Sequence, residues 1–222
     1  MALDSGDSDL HLWQEVGGMA LMDFTKEING HTLEYLDDGH LYLVDGVIVP
    51  SITQMLRMKF GNKYRHVNEQ ILQRASERGT AVHEAIEMWC RNGTESDLPE
   101  LRHFRFLKMK YGFQVIDNEV PVILFDGDEP ISAGRLDLVI QLGTDTGLAD
   151  IKRTSALDKE YLFYQLNLYR IAYQQCYGTE IKFLRGVHLR EDVRKFVQIP
   201  INEEMTKEYI RTWRKYDFKI LG

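Results

Sequence analysis

From Phe113 onward the hydrophobic pattern changes from a helical period to that of strands, and this change limits the possible folds more than any other feature. Phe113 to Phe125, Ser132 to Leu142 and Gly147 to Lys152 read as three successive strands, divided by Asp126-Gly127-Asp128 and by Gly143-Thr144-Asp145-Thr146. Asp158 to Tyr177 then reads as a helix closed by Gly178. Ile181 to Leu189 and Lys195 to Ile199 form a further pair of strands, and Asn202 to about Asp217 a terminal helix.

Upstream, two alternating segments between His31 and Val49 flank Asp37-Asp38-Gly39, a hairpin signal, and Asp45-Gly46 marks a second turn. Pro50 stops strand pairing. Ser51-Ile52-Thr53-Gln54 is a capping box that opens a helix to about Lys59. Tyr64 to Arg91 is helical in pattern, with Gly79 expected to divide it into helices at roughly 64–77 and 80–91. Pro99 to Tyr111 is another helix, with proline in its first turn. The order predicts an α/β fold: a central mixed β-sheet flanked by helices, preceded by an N-terminal β-hairpin.

The chain has 222 residues, 44% of them hydrophobic, which suits one domain with a proper core, taken as 24–222. Residues 1–23 read as a flexible leader, and Met19 or Met22 offers an alternative start. This leader lacks the basic start and apolar block of a secretory signal, and no apolar run reaches the roughly 18–20 residues of a membrane span. A cytoplasmic protein that makes no membrane contact is the expectation. Two cysteines, Cys90 and Cys176, are too few for a four-cysteine zinc site or an iron–sulfur cluster. A net charge of −7 argues against a protein that coats nucleic acid by bulk electrostatics, but allows a basic groove on an acidic body.

Chemistry concentrates in Gly134-Arg135-Leu136-Asp137 and, thirteen positions after that aspartate, Asp150-Ile151-Lys152. Residues two apart in a strand share a face, so Asp150 and Lys152 point the same way while Ile151 enters the core. A hairpin at Thr144–Gly147 would bring Asp137 close to Asp150. Two carboxylates and a lysine on one sheet face are expensive without a partner. A divalent cation removes that cost, and hard oxygen ligands suit Mg2+ or Mn2+. Such an ion can polarise a phosphodiester. The bland alternative is two surface strands that end in an ordinary Asp–Lys ion pair.

Other residues carry weaker signals. His83 follows Gly79 on a helix and, taken alone, reads as a satisfied, partly buried histidine rather than a ligand. His83-Glu84-Ala85-Ile86-Glu87 departs from the zinc-protease pattern at its last position, which excludes that chemistry. Gln165 and Tyr169 share a helix face, where they either meet a ligand or form the polar side of an amphipathic helix. Arg74, Arg78, Arg135, Arg153 and Lys159 are cations near these motifs, suited to phosphate contacts or simply solvated. Tyr161, Phe163 and Tyr164 could stack on bases or pack in the core.

Taken in order, Gly79-x-x-x-His83, Glu119 ahead of a strand, Gly134-x-x-Asp137, Asp150-x-Lys152 and Gln165-x-x-x-Tyr169 resemble the RecB-like branch of the PD-(D/E)xK nuclease superfamily. The resemblance runs from about Gly79 to Tyr173, and the opening from Tyr35 to Leu56 is similar to phage and prophage RecE-like exonucleases. It implies a restriction-endonuclease-like core. It implies that His83, Asp137, Asp150 and the backbone carbonyl of Ile151 hold a metal, and that Lys152 is catalytic. Glu119 would be an acid beside the metal or linked to it. Gln165 and Tyr169 would support the site and contact DNA, and Thr154 would hold a water or a phosphate. The implied function is a metal-dependent DNA exonuclease of phage-type recombination or DNA processing, leaving 5′-phosphate ends. A single-strand annealing recombinase as partner, a ring-shaped homo-oligomer and a bacterial cytoplasm belong to the same implication. Relatives with a cysteine-bound iron–sulfur cluster are not matched. An endonuclease with the same residues, or a non-catalytic DNA-binding or assembly module, are the alternative readings.

Overall fold

The structure, a computed structural model, describes residues 23–61 and 67–215. The expected leader lies outside the described residues except for Asp23, as do the expected helix start at Tyr64 and the last residues of the terminal helix. Two sheets and five helices are formed by the described residues.

The first sheet is antiparallel, in the order β1 (Phe24–Ile28), β2 (His31–Leu36), β3 (Leu41–Val44) and β4 (Val47–Val49). It extends the expected hairpin by a strand. Asn29-Gly30 and Asp45-Gly46 are two-residue turns in which both residues have positive φ, the geometry that matches the right-handed twist of a hairpin. The same logic made Asp45-Gly46 readable from sequence, and Asn29-Gly30 carried an equal signal for β1. Ser51 caps α1 (Ile52–Phe60) through both arms of its capping box, worth about 1 kcal/mol. The Ser132 hydroxyl and the Ala133 amide both bond the Pro50 carbonyl, which ties this junction to the second sheet.

The second sheet is mixed and runs in chain order: β5 (Gln114–Asp126), β6 (Glu129–Leu142), β7 (Asp145–Lys152), β8 (Phe183–Leu189) and β9 (Arg194–Ile199). Neighbours are antiparallel except β7 and β8, which are parallel and joined through α4 (Lys159–Tyr177). Strand β7 is therefore central. On one face α2 (Glu69–Asn92) and α3 (Pro99–Tyr111) bury Val82, Ile86, Leu101 and Phe104 against Leu138, Ala149, Ile151 and Val187. On the other, α1, α4 and α5 (Glu203–Lys215) pack Met55, Leu162, Leu166 and Trp213 over Val122, Leu136 and Leu148. This is the α/β architecture the strand and helix pattern predicted.

Two expectations are corrected. Gly79 does not break its helix: α2 runs unbroken for 24 residues. A helical glycine costs roughly 0.5–1 kcal/mol, too little to interrupt a helix whose later turns are anchored by Val82 and Ile86. Glu119 stands within β5, as the Phe113–Phe125 strand reading has it, and not ahead of a strand as the motif series has it. A methyl group at position 79 would meet open space. Gly79→Ala is therefore expected to raise stability by about 0.5–1 kcal/mol in urea unfolding, whereas a helix break at Gly79 would give no gain or a loss.

Candidate metal and catalytic site

The site forms where β6 and β7 cease to pair. Their ladder runs from Leu142–Asp145 to Leu138–Ala149, and one more rung would set Asp137 against Asp150. Instead the Ile151 amide donates to Asp137 Oδ2 at 2.6 Å, so a carboxylate takes the place of the next backbone acceptor. On the other side of β6, Asn118 faces Leu138 and Val120 faces Leu136, which puts Glu119 across from Asp137. Glu119 has φ +50°, a left-handed conformation that a non-glycine residue inside a strand adopts at a cost of about 1–3 kcal/mol. Its carboxylate reaches Arg135 Nε at 2.7 Å and approaches His83 Nδ1 at 3.6 Å.

His83 arrives from α2. Its Nε2 lies 3.2 Å from the Ile151 carbonyl, which fixes the ring and aims Nδ1 at the acids, 3.7 Å from Asp137 Oδ1. One donor atom from each of His83, Glu119 and Asp137 lies within 4.8 Å of the others. Asp150, only 2% exposed, sits beside this trio and is ion-paired with Lys152 at 2.6 Å. Asp150 and Lys152 do share one strand face, with Ile151 buried on the other. They are not on a surface strand, because both faces of β7 are covered.

Charge in the cluster is out of balance. Three carboxylates meet two permanent cations, Lys152 and Arg135. Burial works to strip the His83 proton, but Asp137 and Glu119 outweigh it and hold the imidazole up to about 9. Burial raises Asp150 to about 6 against the pull of Lys152, and raises Asp137 as well. Lys152 is disfavoured by burial, yet Asp150 and Asp137 lift it above the usual lysine range. The proton on His83 thus offsets the excess of carboxylate charge. A histidine nitrogen and two carboxylate oxygens are a donor set that fits a divalent ion.

Tyr169, buried on α4, donates its hydroxyl to the Arg135 carbonyl at 3.0 Å. A methyl group on Gly134 would stand 3.1 Å from that hydroxyl and from Cε1 of the ring. Two of the sequence motifs are therefore halves of one contact: the glycine makes room for the tyrosine. Gln165 is buried one turn earlier, and its Oε1 has no hydrogen-bond partner among the described residues.

The cations expected to meet DNA are differently placed. Arg135 is engaged by Glu119. Arg78 and Arg153 are paired with acids, Arg74 and Lys159 are exposed, and the Thr154 hydroxyl turns back to the Ala156 carbonyl at 2.8 Å. Tyr161 and Phe163 are half-buried and Tyr164 is buried, all packed on the core beneath α1 and α5. Three neighbours of the site gave no readable signal. Glu100, fully buried, looked like an ordinary first-turn acid; Glu191 lies in a turn; and His188, whose Nε2 bonds the Thr154 carbonyl at 2.7 Å, is opposite Lys152 in β8.

No protein-family model and no curated protein matches this chain. Among solved structures it is similar to one described as "Crystal structure of SSO0001", at 14% identity over 76% of each chain with a TM-score of 0.44, a likeness too slight to carry an argument. No helix among the described residues is long and apolar enough to cross a membrane.

If the trio is the donor set, Glu119→Gln and Asp137→Asn will each weaken Mn2+ binding at least tenfold in isothermal titration calorimetry, a loss of about 1.4 kcal/mol or more. Unchanged affinity in Glu119→Gln would leave Glu119 only the partner of Arg135.

Proposed function

We propose that the chain is a divalent-metal-dependent deoxyribonuclease, and within that class an exonuclease of DNA processing. One observation carries the reading: donor atoms of His83, Glu119 and Asp137, brought from α2, β5 and β6, converge within 4.8 Å beside the buried Asp150–Lys152 pair on β7. The sequence series that resembles RecB-like nucleases supports DNA as the substrate and end-directed cleavage as the mode.

His83, Glu119 and Asp137 would hold Mg2+ or Mn2+, with Asp150 and the Ile151 carbonyl at its border. The bound ion would supply Lewis-acid polarisation of the phosphodiester. Lys152, kept charged by Asp150, is suited to stabilise the negative charge that develops on the phosphoryl oxygens. Asp150 also sets the position of the ammonium group, and the Ile151 carbonyl sets the ring of His83. Tyr169 fixes the backbone two residues before Asp137. In the overall step a water oxygen bonds to phosphorus, the bond to the 3′ oxygen breaks, and that oxygen takes up a proton. A 5′-phosphate and a 3′-hydroxyl remain.

Purified protein is expected to degrade end-labelled linear DNA with Mg2+ or Mn2+, to fail in EDTA, and to leave closed circles intact. Lys152→Ala should lower the rate by on the order of 10²–10³ while linear DNA is still bound. Cutting of closed circles would replace the exonuclease reading with an endonuclease. Full metal-dependent activity in Lys152→Ala would remove the site assignment.

A further inference from the structure

A second charged cluster lies just outside the site, one residue past Lys152 on β7 and five residues before His83 on α2. Arg78 and Arg153 run side by side between two acids. Both turn Nε toward Glu100 Oε1, at 3.9 Å from Arg78 and 2.8 Å from Arg153. Both turn Nη2 toward Glu191 Oε1, at 2.7 Å and 2.9 Å. The two acids differ in kind. Glu100 is wholly buried in the first turn of α3 and cannot leave. Glu191 is 44% exposed in the turn between β8 and β9, so rotating its side chain into water releases it without moving the backbone.

Two guanidinium groups from separate elements that converge on a single oxygen form the arrangement a phosphate oxygen accepts, because each supplies a charge-assisted N–H in a fixed direction. Glu100 aligns them from behind, so little side-chain entropy remains to be lost when an anion binds in front.

We infer that Arg78 and Arg153 form a phosphate clamp for a nucleic-acid strand, and that Glu191 occupies it as an intramolecular stand-in until a strand displaces it. The identity of the strand rests on the nuclease reading, while the clamp itself does not. Since Arg78 lies about 7.5 Å along the helix axis from His83, the phosphate held there neighbours the reacting one and is distinct from it. The carboxylate in the clamp also opposes loose capture of stray anions, since any ligand must compete with a tethered group.

The test uses the full chain in EDTA, which keeps DNA intact. Inorganic phosphate binding is read by calorimetry, and binding of 3′-labelled single-stranded oligonucleotides with a 5′-phosphate or a 5′-hydroxyl by fluorescence anisotropy. Glu191→Gln keeps the size of the side chain and removes the competing charge. It should tighten phosphate and oligonucleotide binding about three- to tenfold and steepen the salt dependence by about one counterion. Adding Arg78→Ala should cancel that gain. Equal gains for both oligonucleotides identify a backbone phosphate, and a gain confined to the 5′-phosphate identifies the strand end. Unchanged or weaker binding of every probe by Glu191→Gln overturns the clamp, even if metal-dependent cleavage is intact. A gain for inorganic phosphate alone keeps the clamp and overturns the strand as its ligand.

Discussion

The interaction on which the structure turns is the burial of two carboxylates, Asp137 and Asp150, at the middle of a sheet covered on both faces. Charged groups withdrawn from water are costly unless every lone pair and every unit of charge is answered. The surrounding geometry reads as the set of answers. The ladder between β6 and β7 stops so that the Ile151 amide can meet Asp137. Lys152 folds onto Asp150, and His83 descends from α2 to face the remaining acids. Glu119 accepts a strained backbone to join them, with Arg135 taking its other oxygen. A protein needing only stability would place leucines here, since well-packed apolar residues often do better than buried ion pairs.

Helix α2 has two characters as a result. Its later turns are pinned into the core by Val82 and Ile86, while most of its first three turns, with Ile71 61% exposed, face solvent. The pinned part delivers His83, and the start of the helix delivers Arg78 to the neighbouring acids. A continuous helix through Gly79 is what keeps these two deliveries in fixed relation. Flanking helices would have allowed a break only at the expense of that relation.

Much of this was legible in the sequence because local chemistry and tertiary structure agreed. Apolar patterning marked β5 to β9, with turns at Gly127 and Gly143 dividing the first three, and Ser51, Asp158 and Gly178 marked helix ends where the structure has them. Asp150 and Lys152 could be set on one face by counting in twos. What could not be read depended on contacts across long intervals. Glu119 has a left-handed backbone and stands opposite Asp137, and nothing beside it in the chain announces either. The link between Gly134 and Tyr169 joins residues 35 positions apart, and each looked like a separate motif. The pairing of Arg78 and Arg153 with Glu191 needed α2 and the β8–β9 turn to be brought together in space. Gly79 misled because a local propensity, worth less than the packing of the next two turns, was given too much weight.

His83, Glu119 and Asp137, the candidate donors, come from one helix and two strands, and the helix belongs to a different layer from the strands. An ion that bridged them would close two chain loops of some tens of residues, as a covalent cross-link does, and would bind only when α2 is seated on the sheet. Its binding energy would be added to the docking of that helix by mass action. Metal concentration would thereby govern how tightly one layer of the molecule is fastened to the next, and the local opening of α2 would be the motion that metal suppresses.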